Sequence, residues 1–181
     1  MCLGKDKKII QKSVLALLLL IMSGCATPSK NWTSTPALQT IRNPFFQAEF
    51  EPLKKEKNFY ILFRLHVTNL TDKNLVIDWN KTRYLLDGKN NGGFVFNGID
   101  PQAIKTATIP PDTVPGGGAL SKEIAPYKML AMAPFRDQSV DPGKARISPG
   151  LLPAGENAIV LVITQDGKPM TEKLTVTIEA R

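Results

Sequence analysis

From Phe59 to Leu70 the chain changes side at every residue. Phe59, Ile61, Phe63, Leu65 and Val67 share one side of an extended backbone, and Tyr60, Leu62, Arg64, His66 and Thr68 share the other. Only a strand keeps every second residue on one face; a helix would spread these positions around its axis. One face is apolar and the other mixed, so this strand is expected to be half buried. The same period recurs. Phe46, Ala48 and Phe50 alternate with Gln47 and Glu49. Leu75, Ile77 and Trp79 alternate with Val76, Asp78 and Asn80, and Leu174, Val176 and Ile178 with Thr175, Thr177 and Glu179. Arg83–Leu86 and Phe94–Phe96 are shorter candidates, as is Leu120–Ile124. Ala158–Thr164 is apolar and β-branched throughout, which places it centrally in a sheet.

Turn chemistry separates these runs. Thr71-Asp72-Lys73-Asn74 is a turn, and Gln165-Asp166-Gly167-Lys168 carries the Asp-Gly hairpin signal. The segment Asp87–Gly93 stops one strand before Phe94 resumes. Pro110-Pro111, Pro115 and Gly116–Gly118 mark a long loop, Tyr127–Ala133 is ambiguous, and Pro134–Pro153 is loop-rich. Asp100-Pro101 suits the start of one helical turn. With 14 Pro and 13 Gly as punctuation, the chain is expected to be all-β, an antiparallel sandwich of seven to nine strands.

The N-terminus has a different character. Lys5, Lys7, Lys8 and Lys12 face a single acid, Asp6, and the apolar run Val14–Met22 follows. Nine apolar residues fall well short of the ~20 that span a bilayer, but they suit the apolar core of a signal peptide. Small residues Ser23 and Gly24 lead directly into Cys25. Met22-Ser23-Gly24-Cys25 resembles the lipobox of bacterial lipoproteins, with Met22 where Leu is usual. The resemblance implies that residues 1–24 are a cleaved signal peptide. It further implies that Cys25 becomes the first mature residue, bearing a diacylglyceryl thioether and an N-acyl chain such as palmitate. Two chains anchor stably where one is marginal. Ala26, in place of the Asp that favours inner-membrane retention, implies the outer membrane, facing the periplasm; in a single-membrane organism it implies the outer face of that membrane. An uncleaved anchor helix and a plain secretory signal are the competing readings.

This cleavage would take the formal charge from +7 to +4, because the signal holds four Lys and one Asp. Cys2 and Cys25 are the only cysteines, so the mature domain would hold no disulfide and no cysteine metal site. Residues 25–42, rich in Thr, Ser, Pro and Asn, read as a lipidated N-terminus and disordered tether. Trp32 within it is assigned either to the membrane interface or to the domain edge. Residues 43–181 then form one domain.

Val67-Thr68-Asn69-Leu70-Thr71 followed by Leu75–Asn80 resembles the Ig-like domains of bacterial envelope lipoproteins, a group whose role is mostly unassigned. The stretch Asp78–Tyr84 with Asp87-Gly88, and later Pro110-Pro111 and Pro115-Gly116-Gly117, extends the likeness loosely over residues 45–125. The Cys…Trp…Cys framework of antibody domains is absent.

Catalytic signals are weak. His66 is the only histidine, and no Gly-x-Ser-x-Gly elbow accompanies it. Most acids occupy turns, where backbone geometry explains them; Asp78 is the exception. Gly116–Gly118 precedes neither a helix nor a Gly-Lys-Ser/Thr, which removes it as a phosphate loop. Lys54, Lys55 and Lys57 are flanked by Glu51 and Glu56 and read first as a solvated turn rather than an anionic-lipid or nucleic-acid patch. No catalytic residue, metal site, cofactor or nucleic-acid partner is assigned. The expected role is a non-enzymatic, lipid-anchored interaction module of a periplasmic assembly. A sheet edge or the loop Ala107–Leu120 would meet an envelope protein partner. The alternative is a glycan or small-ligand binding module with Arg64, Arg83 and Tyr84 in contact, and behind it a hydrolase with an unrecognised site.

Overall fold

In a computed structural model, residues 30–99, 103, 106, 108–130 and 148–181 are described. The signal segment, Cys25, the helical turn expected at Asp100-Pro101 and the loop 131–147 lie outside the described residues. Twelve strands follow in order: β1 Trp32–Thr35, β2 Gln39–Arg42, β3 Phe46–Leu53, β4 Leu62–Asn69, β5 Leu75–Ile77 and β6 Arg83–Leu86. Then come β7 Lys89–Asn90, β8 Phe94–Val95, β9 Asp112–Val114, β10 Ala119–Pro126, β11 Gly155–Gln165 and β12 Lys168–Ala180. A 3-10 turn, Tyr127–Met129, follows β10.

The strands form two antiparallel sheets packed face to face, an all-β sandwich. One sheet has five strands in the order β2-β3-β4-β10-β8. The other has seven, with β1-β12-β11-β5-β9 as its main path and β6 joining β11 to β7. Alternation decides what is inside. β3 buries Phe46, Ala48, Phe50 and Pro52, and β4 buries Phe63, Leu65 and Val67 beside them. From the other sheet Ile159, Leu161, Ile163, Leu174, Val176 and Ile178 close the core. Phe50 stacks on Phe63 with ring centroids 4.3 Å apart, and Phe94 meets both Phe63 and Tyr84 edge-on.

Twelve strands exceed the seven to nine expected. The surplus comes from pieces of two to four residues, too short to show a period. Two of them overturn the tether boundary. β1 pairs with β12, Trp32 opposite Ala180; β2 pairs with β3, Gln39 opposite Phe50. The chain passes from one sheet to the other between them, through Pro36. Residues 32–42 therefore belong to the sandwich rather than to a disordered tether. Low apolar content hid them, because each completes a sheet edge and contributes a single half-buried residue at a time. Trp32 packs against the core at the domain edge.

Asn69 gives the Val67–Thr71 motif a physical reason. It is buried. Its amide nitrogen lies 2.7 Å from the carbonyl oxygen of Lys73 and 3.0 Å from those of Val114 and Pro115. Its Oδ1 accepts from the Thr71 amide at 3.0 Å and from the Thr71 hydroxyl at 2.9 Å. One side chain thus ties the β4–β5 turn to the segment after β9. The Gly117 amide donates to Thr71 O at 2.8 Å, and a Cβ on Gly116 would stand 2.2 Å from Asp72 O. Asn80 holds Ile109 through both backbone groups, at 2.8 and 2.9 Å. The stretch expected to be a free loop over Ala107–Leu120 is, from Ile109 onward, a strand and a pinned turn.

Candidate functional site

The three residues proposed for ligand contact do not converge. Tyr84 is fully buried, and its hydroxyl donates to Asn157 Oδ1 at 2.5 Å. Asn157 donates in turn to Pro153 O and Gly155 O, each at 3.0 Å. Burial, and secondarily the charge of Asp87, pushes the Tyr84 phenol well above its ordinary pKa. Arg83 folds back on its own strand, donating to Asn80 O at 2.7 Å and Thr82 O at 3.0 Å. Arg64 lies on the other sheet, paired to Glu51 at 2.9 Å. Trp79 is also buried, 5.0 Å from the Phe96 ring. Neither Tyr84 nor Trp79 therefore offers an aromatic face to a glycan.

Arg64 belongs to a shallow groove of about 230 Å³ on the outer face of the five-stranded sheet, with Leu38, Glu49, Glu51 and His66. His66 Nε2 stands 3.3 Å from Thr68 Oγ1 and is opposite Glu49 and Ser121 in register. The backbone amides of β3 and β4 are engaged in the ladder and lie in its plane, so none is aimed at a developing oxyanion above the face. Among the described residues, no group of three or more His, Cys, Asp or Glu side chains is placed to hold a metal ion.

A second polar cluster escaped sequence reading. Leu120, Lys122 and Ile124 are opposite Val67, Leu65 and Phe63, so Lys122 faces inward. Its ammonium pairs with Asp112 Oδ2 and sits 3.7 Å from the Phe96 ring centroid. The Trp79 indole donates to the same carboxylate oxygen at 2.7 Å. This clasp joins β9 of one sheet to β10 of the other. The signal was available: Lys122 interrupts an apolar alternation at an inward position. Asp112, read as a turn acid, is its partner.

The feature with the greatest capacity for contact is an edge of backbone. β12 has 13 residues and pairs with β11 from Lys168 to Ile178. On its opposite side β1 covers only Thr177–Ala180. Lys168–Val176 therefore has no strand partner on that side among the described residues. Along it Leu174 and Val176 point into the core while Thr171, Lys173 and Thr175 face outward. The other edge strands, β1, β2, β7, β8 and β9, have two to four residues. β10, which β8 covers only at Ala125 and Pro126, is unpaired on that side over the shorter stretch Ala119–Ile124 among the described residues. Beside the β12 edge a groove of about 520 Å³ lies between the β2–β3 turn and the β11–β12 hairpin. Phe45 and Met170 supply apolar surface there, and Asp72, Lys73, Asp166 and Lys168 are polar neighbours. Lys73 pairs with Asp166 at 2.6 Å; that hydrogen bond, and then the charge behind it, raises the Lys73 pKa above its ordinary value. Phe45 is 42% exposed.

Compared with known proteins, the chain matches no family model, no curated protein and no solved structure.

Proposed function

We propose that this protein is a lipid-anchored, Ig-like module of the bacterial cell envelope that binds a protein partner by strand addition and performs no catalysis. The open Lys168–Val176 side of β12 carries this reading. An unpaired edge offers a row of main-chain donors and acceptors, and a peptide that pairs there gains affinity from backbone bonds and specificity from alternate side chains. The free length accommodates a strand of about 5–6 residues, the common size. Such an edge left bare invites aggregation, which proteins ordinarily suppress with proline and lysine. Here Pro169 and Lys173 stand on the edge, the Asn43 amide donates to Glu172 Oε1 at 3.0 Å, and β2 and β3 lie close by, yet no strand among the described residues pairs with this length of β12 on its open side.

The anchor reading rests on Met22–Cys25 and locates the module at the periplasmic side of the outer membrane. β1 begins seven residues after Cys25, and Trp32 lies opposite Ala180. The open part of β12 is at the other end of that strand, away from the anchor and toward the periplasm.

A photo-crosslinking residue at Thr171 or Thr175, in cells expressing the full chain, tests the proposal. Both positions should capture the same protein, and Arg64, exposed on the outer face of β4 and paired on both sides, should not. Equal capture from all three positions, or none from Thr171 and Thr175, would contradict strand addition at this edge.

A further inference from the structure

The end of the sandwich where the chain enters carries a basic cleft. Lys30, Asn31, Lys54, Lys57 and Asn58 line a space of about 370 Å³, and no carboxylate is among these lining residues. Three elements build it. The stretch before β1 is fixed to the C-terminus, Asn31 N donating to Arg181 O at 2.5 Å and Arg181 N to Asn31 O at 2.9 Å. The turn after β3 brings Lys54 and Lys57, joined by the Lys57 amide donating to Lys54 O at 3.0 Å. Lys54 spans the two: its ammonium donates to Trp32 O at 2.5 Å and lies 5.0 Å from the Tyr60 ring centroid.

Two of the nearby acids are held by other cations. Glu123 pairs with Lys55 and Glu179 with Arg181. Glu56, on the same turn, is exposed. Lys30, Lys54 and Lys57 have no ion pair among the described residues. Trp32, Phe59 and Tyr60, half-buried against the core, neighbour the lining residues along the chain. Lysine beside Trp and Tyr is the side-chain set that proteins place at a bilayer's headgroup level.

We propose that this basic end docks on the anionic headgroups of the bilayer that holds the Cys25 lipid, which fixes the orientation of the sandwich. The inference rests on the anchor reading for its location. Lys30 is five residues from Cys25. Five extended residues cover at most about 18 Å, which lets Lys30 come within one Debye length, about 8 Å, of the anchoring leaflet at physiological salt. A lysine close to an anionic leaflet contributes roughly a five-fold preference for the bound state. Three on one rigid end therefore suffice to bias a domain that the lipid already confines. Docking this end leaves the opposite end, with the open stretch of β12, free to meet a partner.

The test supplies the tether chemically. A chain beginning at Cys25 has that thiol as its only one and retains every strand described. It is coupled to a maleimide headgroup in vesicles of phosphatidylcholine, with or without phosphatidylglycerol, whose anionic surface attracts lysine. Lysines are then acetylated and read by mass spectrometry. On anionic vesicles, modification of Lys30 and Lys57 should fall about five-fold relative to neutral ones, with Lys73 and Lys168 unchanged. About 1 M salt, where the Debye length is ~3 Å, should abolish the difference. Lys30→Gln with Lys57→Gln should remove the composition dependence of Lys55, on the same turn. Equal modification on both vesicles, or protection of Lys73 and Lys168 instead, would overturn the proposal. Because coupling replaces cellular acylation, either result stands apart from whether the cell lipidates Cys25.

Discussion

Among the described residues three polar side chains, Asn69, Thr82 and Asn157, are buried in an otherwise apolar interior, and each is satisfied by hydrogen bonds. An unpaired buried polar group costs about 1–3 kcal/mol, so these positions specify one arrangement of turns at little net cost. Tyr84 with Asn157 is the pair most open to measurement. Burial raises the Tyr84 pKa above the unfolded value of about 10. Stability from keeping this phenol protonated is thus fully present below about pH 10 and is lost as pH rises toward the folded pKa. Urea midpoints followed into alkaline solution should fall more steeply for the wild type than for Tyr84→Phe. That variant should start about 1 kcal/mol lower, from the donor withdrawn from Asn157. Equal slopes would mean that Tyr84 ionises in the folded protein. Residue-level legibility was uneven. Trp79 was legible from its alternation with Leu75 and Ile77, whereas Arg64 and Arg83 were grouped with Tyr84 because sequence proximity and charge cannot show which sheet a strand joins.

At the scale of elements, turns differ in what they demand of glycine. In the β11–β12 hairpin Asp166 and Gly167 both have positive φ, 50° and 75°, as a two-residue type I′ turn requires; the Asp-Gly pair announces this directly. A Cβ on Gly167 would meet nothing within 4 Å, so Gly167→Ala should cost only backbone strain, about 1 kcal/mol. Gly116 has the opposite problem. Its Cβ would clash with the Asp72 carbonyl, forcing apart the turns that Asn69 ties, and Gly116→Ala should cost more, on the order of 2–3 kcal/mol. Denaturant unfolding of the two variants checks the order; a larger loss at Gly167 would contradict the packing described at Gly116. The long strands were legible because alternation over eight or more residues has few explanations. β1 and β2 were not, since a four-residue edge strand is defined by the neighbour it pairs with. The open side of β12 was hidden for the same reason: an edge belongs to strand order, which local pattern does not encode.

The whole molecule is a two-ended object. The entry end gathers Lys30, Lys54 and Lys57, while the far end presents the Asp166-Gly167 hairpin, Phe45 and the uncovered length of β12. Between them β12 extends 13 residues, roughly 40 Å at strand rise. Under the proposed anchoring at Cys25, a sandwich that begins at Trp32 rather than after Arg42 would stay close to its anchor, and its two ends would meet distinct environments. In the proposed account, place and orientation depend on a lipid at Cys25. Mass spectrometry of the mature N-terminus, on protein taken from its native envelope, is the direct test. The peptide should begin at Cys25 and carry a diacylglyceryl thioether and an N-acyl chain. A peptide beginning at Met1, or a Cys25 with a free thiol, would contradict the account.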